Sequence, residues 1–183
     1  MHYTMQIAGL TRDLPLCPVS DSLSIAAFIL FGDAPLTVAC ADELLKRAPE
    51  YDYLLTAEAK SIPLIHEMAR QHGDETYFIA RKGMKVYLTD PITVTLRSIT
   101  TQREQTLYLG SADAEKIRGK RILIVDDVIS TGESLTAMET LVAQAGGTVV
   151  GKMAVLAEGD AADRNDIIYL NPLPLFNPDG SVL

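Results

Sequence analysis

Residues 122–135 read ILIVDDVISTGESL, and this stretch decides the fold of the chain. Residues 122–125 are apolar and largely β-branched, which is typical of a strand buried on both faces of a parallel sheet. After the acidic pair, apolar residues recur at helical spacing from residue 135 until the glycine pair 146–147 ends the pattern. The acidic pair and the short polar segment behind it are therefore predicted to lie on the turn from a strand into a helix.

That turn has the chemistry of a site for a phosphorylated sugar. Open α/β sheets bind ligands at the carboxyl ends of their strands, and the free N–H groups at the start of a helix suit an anion such as phosphate. Gly132 lets the backbone approach the anion closely. Side-chain hydroxyls could add donors from Ser130, Thr131 and Ser134. The carboxylates of Asp126 and Asp127 would face a polyhydroxy group beside that phosphate, and a phosphorylated ribose meets both requirements.

Two other interpretations fit part of this stretch. Ser130 and Glu133 could form a capping box, which would give the segment a purely structural role. A phosphorelay receiver domain also has a first strand that ends in an acidic pair. It needs a much longer chain after that strand, with a phosphoacceptor aspartate and a lysine, whereas only residues 128–183 follow here. The receiver interpretation is therefore discarded.

Residues 125–134 resemble the loop that binds phosphoribosyl pyrophosphate (PRPP) in the type I phosphoribosyltransferases, and residues 122–135 fit that pattern without a gap. The resemblance implies an α/β fold with a mostly parallel sheet flanked by helices. It also implies a single domain over residues 1–183 with a small hood from about 1–20 and 168–183. Asp126 and Asp127 would be the catalytic residues that hold two ribose hydroxyls. The 5′-phosphate would be bound by Val128, Ile129, Ser130, Thr131, Gly132, Glu133 and Ser134.

Two further segments resemble the pyrophosphate site of the same family. Residues 53–63 read as a strand, a turn and a helix with Pro63 in its first turn. The resemblance implies that this turn binds the leaving diphosphate through Glu58, Ala59, Lys60 and Ser61, although many purine enzymes have glycine where Ser61 stands. A short strand at 77–80 is followed by a cationic element like the family's Arg-Lys-x-x-Lys, here Arg81, Lys82 and Lys85. In the family this element contacts pyrophosphate, sometimes across a dimer interface, so a homodimer is expected.

Residues 86–109 contain alternating stretches that predict a hairpin with a polar tip. Members of the family use this region as a hood that excludes water from the reactive sugar carbon. Arg97 and Arg103 lie in it. Glu104 could be a proton donor or acceptor, or an exposed loop glutamate.

Composition and length agree with one α/β domain, because 183 residues that are 48% hydrophobic can form a sizeable core. The predicted elements are helices around 22–31, 36–48, 61–72 and 133–145 and strands near 53, 78, 122 and 149–156. This alternation predicts a parallel sheet covered on both faces. The apolar run 25–31 is too short to span a membrane, and no secretory signal is apparent.

Charge and the spacing of cysteine and histidine argue against several classes of partner. The net charge of −8 opposes binding to nucleic acid. Cys17 and Cys40 lack metal-ligand spacing, which predicts reduced thiols in a cytoplasmic protein. The three histidines show no metal spacing either, so no metal-ligating residues are predicted.

The activity implied by the resemblance is Mg²⁺-dependent transfer of the phosphoribosyl group from PRPP to a purine base, giving a nucleoside monophosphate and pyrophosphate in purine salvage. Magnesium would be held mainly through the substrate and water. Adenine or xanthine is favoured, and residues 10–19 and 169–176 would cover the base. Residues 155–159 also resemble the PRPP-sensing domain of a bacterial purine repressor, which binds PRPP without turnover. The enzyme is preferred, because such a repressor has an N-terminal DNA-binding domain and no basic recognition helix precedes the first strand of the sheet here.

Overall fold

The computed structural model describes residues 1–97 and 104–183. Its strands are β1 His2–Ile7, β2 Leu10–Ser20, β3 Leu23–Ala26, β4 Tyr53–Ala57, β5 Phe78–Ala80, β6 Ile92–Arg97, β7 Glu104–Leu109, β8 Arg121–Ile129, β9 Thr148–Glu158 and β10 Ile168–Leu173. Its helices are α1 Ala34–Leu45, α2 Ile62–His72, α3 Ser111–Ile117 and α4 Glu133–Gln144, with a 3₁₀ turn at Gly159–Asp163. None of the described helices is long and apolar enough to cross a membrane.

A parallel sheet of five strands forms the centre, in the order β10-β9-β8-β4-β5. Alternation along β8 explains why both faces are covered. Ile122 and Ile124 pack into one hydrophobic core together with α4, whereas Leu123 and Val125 pack into a second core together with α1 and α2. All four side chains are fully buried. The predicted α/β class and the doubly covered strand are therefore confirmed.

Most of the predicted elements lie within a few residues of the observed ones. α2 has a proline in its first turn, ends at His72 and is capped by Gly73, whose left-handed φ of 88° favours glycine. The predicted hairpin is present as antiparallel β6 and β7. Arg103 lies outside the described residues, as do the side chains of Arg97 and Glu104, so the roles predicted for them remain predictions.

The helix predicted over residues 22–31 is wrong. β3 occupies Leu23–Ala26 in antiparallel pairing with β2, and the chain then continues without regular structure to α1. Burial explains this outcome, because Ala26, Phe28 and Leu30 are buried while Ile29 and Phe31 are about half exposed. Side chains that alternate between core and solvent require an extended backbone.

The N-terminal residues form a second, antiparallel sheet in the order β1-β2-β3. Phe176 of the C-terminal segment bridges Ser24 on β3 and contacts the ring of Tyr3 on β1. Both termini thus contribute to one small unit. Residues 168–173, where the C-terminal part of the hood was predicted to begin, pair with β9 as part of the central sheet. Whether this small unit covers a base stays a prediction.

Candidate active site

The carboxyl ends of β4, β5 and β8 meet at one edge of the central sheet and bring three predicted segments together. The acidic pair lies near the carboxyl end of β8, which continues to Ile129, so the prediction that the pair lies on the turn into the helix is wrong: backbone pairing with β9 extends past it. The turn 58–61 follows β4, and the cationic element begins directly after β5. Parallel pairing of β8 with β4 and of β4 with β5 fixes this order. Residues that are far apart in the sequence therefore share one cleft edge, as the positions of their strands predict.

Both members of the acidic pair contact the turn that follows β4. The hydroxyl of Ser61 donates a hydrogen bond to Oδ1 of Asp126 at 3.1 Å, and the ammonium of Lys60 lies 2.9 Å from Oδ2 of Asp127. Ser61 is fully buried and also shares a hydrogen bond with the hydroxyl of Thr56 at 2.7 Å. Ser61 thus links the turn to the acidic pair through its side chain. The glycine that many purine enzymes have at this position has no side chain to make that contact.

The carboxyl of Asp126 holds its proton more tightly than an ordinary aspartate does. Burial, together with the neighbouring charge of Asp127, raises the pKa of Asp126 to about 7. Asp127 is only 4% exposed, and its Oδ2 atom accepts no well-oriented hydrogen bond from the described residues, although Lys60 lies close by. A buried carboxylate oxygen in this state can accept a hydrogen bond from a ligand hydroxyl.

The turn before α4 has the geometry of an anion site. Gly132 has a left-handed φ of 79°, α4 begins at Glu133, and no side chain caps its first turn among the residues described. The alternative interpretation, a capping box formed by Ser130 and Glu133, is therefore not the one observed, because Gly132 is the N-cap residue. A cavity of about 110 Å³ opens here, and Asp126 lies in its wall. Its remaining walls are Gln105, Val128, Ile129, Ser130, Thr131, Gly132, Glu133, Ser134 and Leu135.

The turn after β4 and the cationic element are held together by Glu58. Its carboxylate pairs with Arg81 at 3.1 Å and accepts a hydrogen bond from the backbone N–H of Lys82 at 3.0 Å. Burial alone would raise the pKa of Glu58, but these hydrogen bonds and the nearby charge of Lys85 outweigh it, so this pKa lies below its ordinary value. Arg81, Lys82 and Lys85 thus form one positively charged group at the end of β5.

Sequence reasoning missed three residues at this edge of the sheet. Gln105 on β7 reaches the phosphate turn and contacts Ser134. Arg164 stands against Gly132, because a β-carbon at position 132 would lie 2.6 Å from its Nη1 atom. Glu158 ends β9; burial raises its pKa, and the charge of Lys60 opposes that shift. Gln105 and Arg164 belong to no local pattern. Glu158 lies in the segment 155–159, which was compared only with a PRPP-sensing domain, although its position at a strand end could have indicated a place in the site.

The family model described as phosphoribosyl transferase domain matches residues 33–171. The adenine phosphoribosyltransferase of Mycobacterium avium (strain 104) is 30% identical over 169 residues, which cover 92% of this chain and 89% of that relative. The chain belongs to the type I phosphoribosyltransferase family. The hypoxanthine/guanine phosphoribosyltransferase of Methanotorris igneus is also 30% identical, over 78% of this chain and 72% of that relative. The relatives place the chain in the purine branch of these transferases.

Solved structures of phosphoribosyltransferases have the same fold. The adenine phosphoribosyltransferase of Thermoanaerobacter pseudethanolicus superimposes with a TM-score of 0.71 at 20% identity, covering 87% of this chain and 95% of that one. The enzyme of Saccharomyces cerevisiae, solved with adenine and an imino-altritol bisphosphate, gives a TM-score of 0.67 at 20% identity over 86% and 93%. The fold predicted from residues 122–135 is therefore confirmed.

Proposed function

We propose that this chain catalyses Mg²⁺-dependent transfer of the phosphoribosyl group from PRPP to a purine base, releasing pyrophosphate, and serves purine salvage. The observation that carries the proposal is the contact of Lys60 and Ser61 with the acidic pair. This contact brings the candidate diphosphate turn and the candidate ribose clamp to the same point. The bond that breaks in the reaction joins the anomeric carbon of the ribose to the diphosphate, so both groups must be held there at once.

The ribose would be held by Asp126 and Asp127. As the diphosphate leaves, positive charge develops on the sugar ring, and fixed negative groups nearby stabilise that charge. The Oδ2 atom of Asp127 contacts the ammonium of Lys60 in the free protein, and a ribose hydroxyl would take over that contact when the diphosphate binds Lys60. The 5′-phosphate would occupy the cavity at the start of α4, where the free backbone N–H groups and the helix dipole favour an anion.

The departing diphosphate would be bound by Glu58, Ala59, Lys60 and Ser61 together with Arg81, Lys82 and Lys85. Lys60 is half exposed and Arg81 is accessible, so both cations can turn toward a ligand. Each is paired with a carboxylate in the free protein, Lys60 with Asp127 and Arg81 with Glu58. Binding of a diphosphate would therefore replace these ion pairs with stronger contacts to phosphate oxygens.

The residues at the site fit a magnesium ion that is shared with the substrate. Within the described parts of the chain, no group of three or more histidine, cysteine, aspartate or glutamate residues could hold a metal. Magnesium usually keeps several waters and needs only one or two carboxylates besides substrate phosphates. Asp126 and Asp127 can supply these, and the ion would neutralise charge on the diphosphate.

Adenine or xanthine remains the proposed base, and the relatives from Saccharopolyspora erythraea and Mycobacterium avium are adenine phosphoribosyltransferases. The base would lie against the small unit built from the two termini, including residues 10–19 and 169–176. A cytoplasmic location is proposed because both cysteines are free thiols.

A homodimer is proposed as well. Met84, Val86 and Tyr87 expose more than half of their surface directly beside the cationic element. Exposed apolar side chains in one short segment are suited to contact with a second copy. Light scattering of the purified protein should give twice the monomer mass of 19.9 kDa.

The alternative is a PRPP-binding regulator without turnover. The relatives favour the enzyme, because those from Mycobacterium avium and Methanotorris igneus are phosphoribosyltransferases. Purified protein should be incubated with PRPP, Mg²⁺ and adenine, xanthine, guanine or hypoxanthine in turn, and nucleotide and pyrophosphate should be measured. One base is expected to yield both products. PRPP binding without pyrophosphate release from any base would instead establish the regulator.

A further inference from the structure

Gln105 lies in the wall of the cavity at the start of α4, and nothing in the sequence pattern assigns it a role. Every other residue that lines this cavity belongs to the continuous segment 126–135. Among the described residues, Gln105 is thus the one wall that comes from a different element, the hairpin strand β7. Gln105 can therefore contact a ligand that is bound by residues 126–135.

The amide of Gln105 is directed at the phosphate turn. Its Nε2 atom lies 3.2 Å from Oγ of Ser134, and its Oε1 atom lies 3.4 Å from the same oxygen. Ser134 is in the first turn of α4, where a bound phosphate would meet the backbone N–H groups. A primary amide carries two N–H donors, and one hydroxyl engages only one of them. The second donor can serve a phosphate oxygen in the same cavity.

The cavity walls carry negative charge, so a neutral hydrogen-bond donor would help them to bind a phosphate. Its walls contain two acidic residues, Asp126 and Glu133, and no lysine or arginine among the described lining residues. Arg164 donates to Asp166 through Nε at 2.9 Å and Nη2 at 2.8 Å, so its charge is shared with that carboxylate and its Nη1 atom alone stands beside Gly132. A phosphate dianion would therefore be bound mainly by N–H and O–H groups, each of which contributes appreciably to the affinity.

We propose that Gln105 is a phosphate-binding residue, whose amide donates a hydrogen bond to the 5′-phosphate of PRPP and of the nucleotide product. This inference rests on the proposed function, since it assumes that the cavity accepts that phosphate. Gln105 then makes the hairpin part of the substrate site, so that one phosphate group contacts both the start of α4 and β7.

Calorimetry with two ligands tests the inference. Ribose 5-phosphate probes the cavity, and inorganic pyrophosphate probes the turn at residues 58–61. Gln105→Leu should weaken ribose 5-phosphate binding about tenfold to a hundredfold, the loss expected for one hydrogen bond to a charged group. Gln105→Glu should weaken it further through charge repulsion. Pyrophosphate affinity should stay within twofold of the wild type in both variants.

Thr106→Val is the matched control, because Thr106 is the next residue on β7 and its hydroxyl bonds to Thr95 across the hairpin, outside the cavity. It should bind both ligands like the wild type. Equal binding of ribose 5-phosphate by wild type and Gln105→Leu would overturn the inference, as would a parallel loss of pyrophosphate binding or the same loss in Thr106→Val. Failure of the wild type to bind ribose 5-phosphate at all would instead count against the proposed function.

Discussion

Replacing Asp126 with asparagine should stabilise the ligand-free protein at alkaline pH and have less effect at acidic pH. The carboxyl of Asp126 has a pKa raised from 3.8 to about 7 in the folded state. Between these values the folded chain binds a proton that the unfolded chain has already lost. Stability therefore falls as the pH rises from about 4 to about 7, and it stays low above that range. Asparagine cannot ionise, so the stability of the variant does not fall in this way over the same pH range.

The size of the effect follows from the shift. Three pKa units correspond to about 4 kcal/mol, at about 1.4 kcal/mol per unit. Asp126 keeps some solvent exposure, so about 2 kcal/mol is expected between pH 5 and pH 8. For a chain of this length that is a difference of about 4–8 °C in melting temperature.

Thermal unfolding followed by circular dichroism at pH 5 and pH 8, without ligand, measures this difference directly. The melting temperature of Asp126→Asn minus that of the wild type should be about 4–8 °C larger at pH 8 than at pH 5. Asp21→Asn, at an exposed position in the turn between β2 and β3, is the control and should show no such growth. A constant difference between Asp126→Asn and wild type at both pH values would refute the argument from burial and repulsion.

Three other changes test the site. Asp127→Asn should lower the rate of transfer more than tenfold and leave the circular dichroism spectrum unchanged, because a charge-assisted hydrogen bond contributes about 1.5–3 kcal/mol; turnover near the wild-type rate would remove Asp127 from the ribose clamp. Gly132→Val should abolish PRPP binding in calorimetry, since a β-branched residue resists a φ of 79° and its β-carbon would meet Arg164; unchanged affinity would mean that the turn does not hold the phosphate. Lys60→Met should weaken pyrophosphate binding about tenfold while Lys116→Met, on α3, leaves it unchanged, and equal affinities in the two variants would contradict the role of Lys60.

The central sheet and the acidic pair were predictable because local patterns determine them. A fully apolar run before the acids at 126 and 127 can only be a buried strand here, and helical spacing after Gly132 marks α4. The positions at which strands end then indicate which distant turns must meet. The role of Lys60 and Ser61 was implied by the resemblance to the type I phosphoribosyltransferases, and their contacts with the acidic pair are consistent with the order of the strands.

Features that depend on long-range packing were not predictable from the sequence. The run 25–31 is apolar throughout, and only the position of the core reveals that Phe28 and Leu30 point inward while Ile29 points outward. β2 contains Pro15 and Pro18, which argue against a strand. β2 pairs with β1 up to Pro15 and with β3 from Leu16 onward, so each proline lies where β2 has a neighbour on one side only, and Pro18 is also at a bulge.

The position of β8 between β4 and β9 has a consequence for the dynamics of the site. Strands at the centre of a sheet usually open only when the whole domain unfolds, so the backbone amides of residues 122–127 should exchange with solvent hydrogen among the slowest in the chain. The ribose clamp is attached to that strand, whereas Gln105 belongs to a separate pair of strands. The carboxylates therefore remain in position between turnovers. Any local opening that admits substrate should occur in the surrounding elements, such as the pair of strands that carries Gln105, and not in β8.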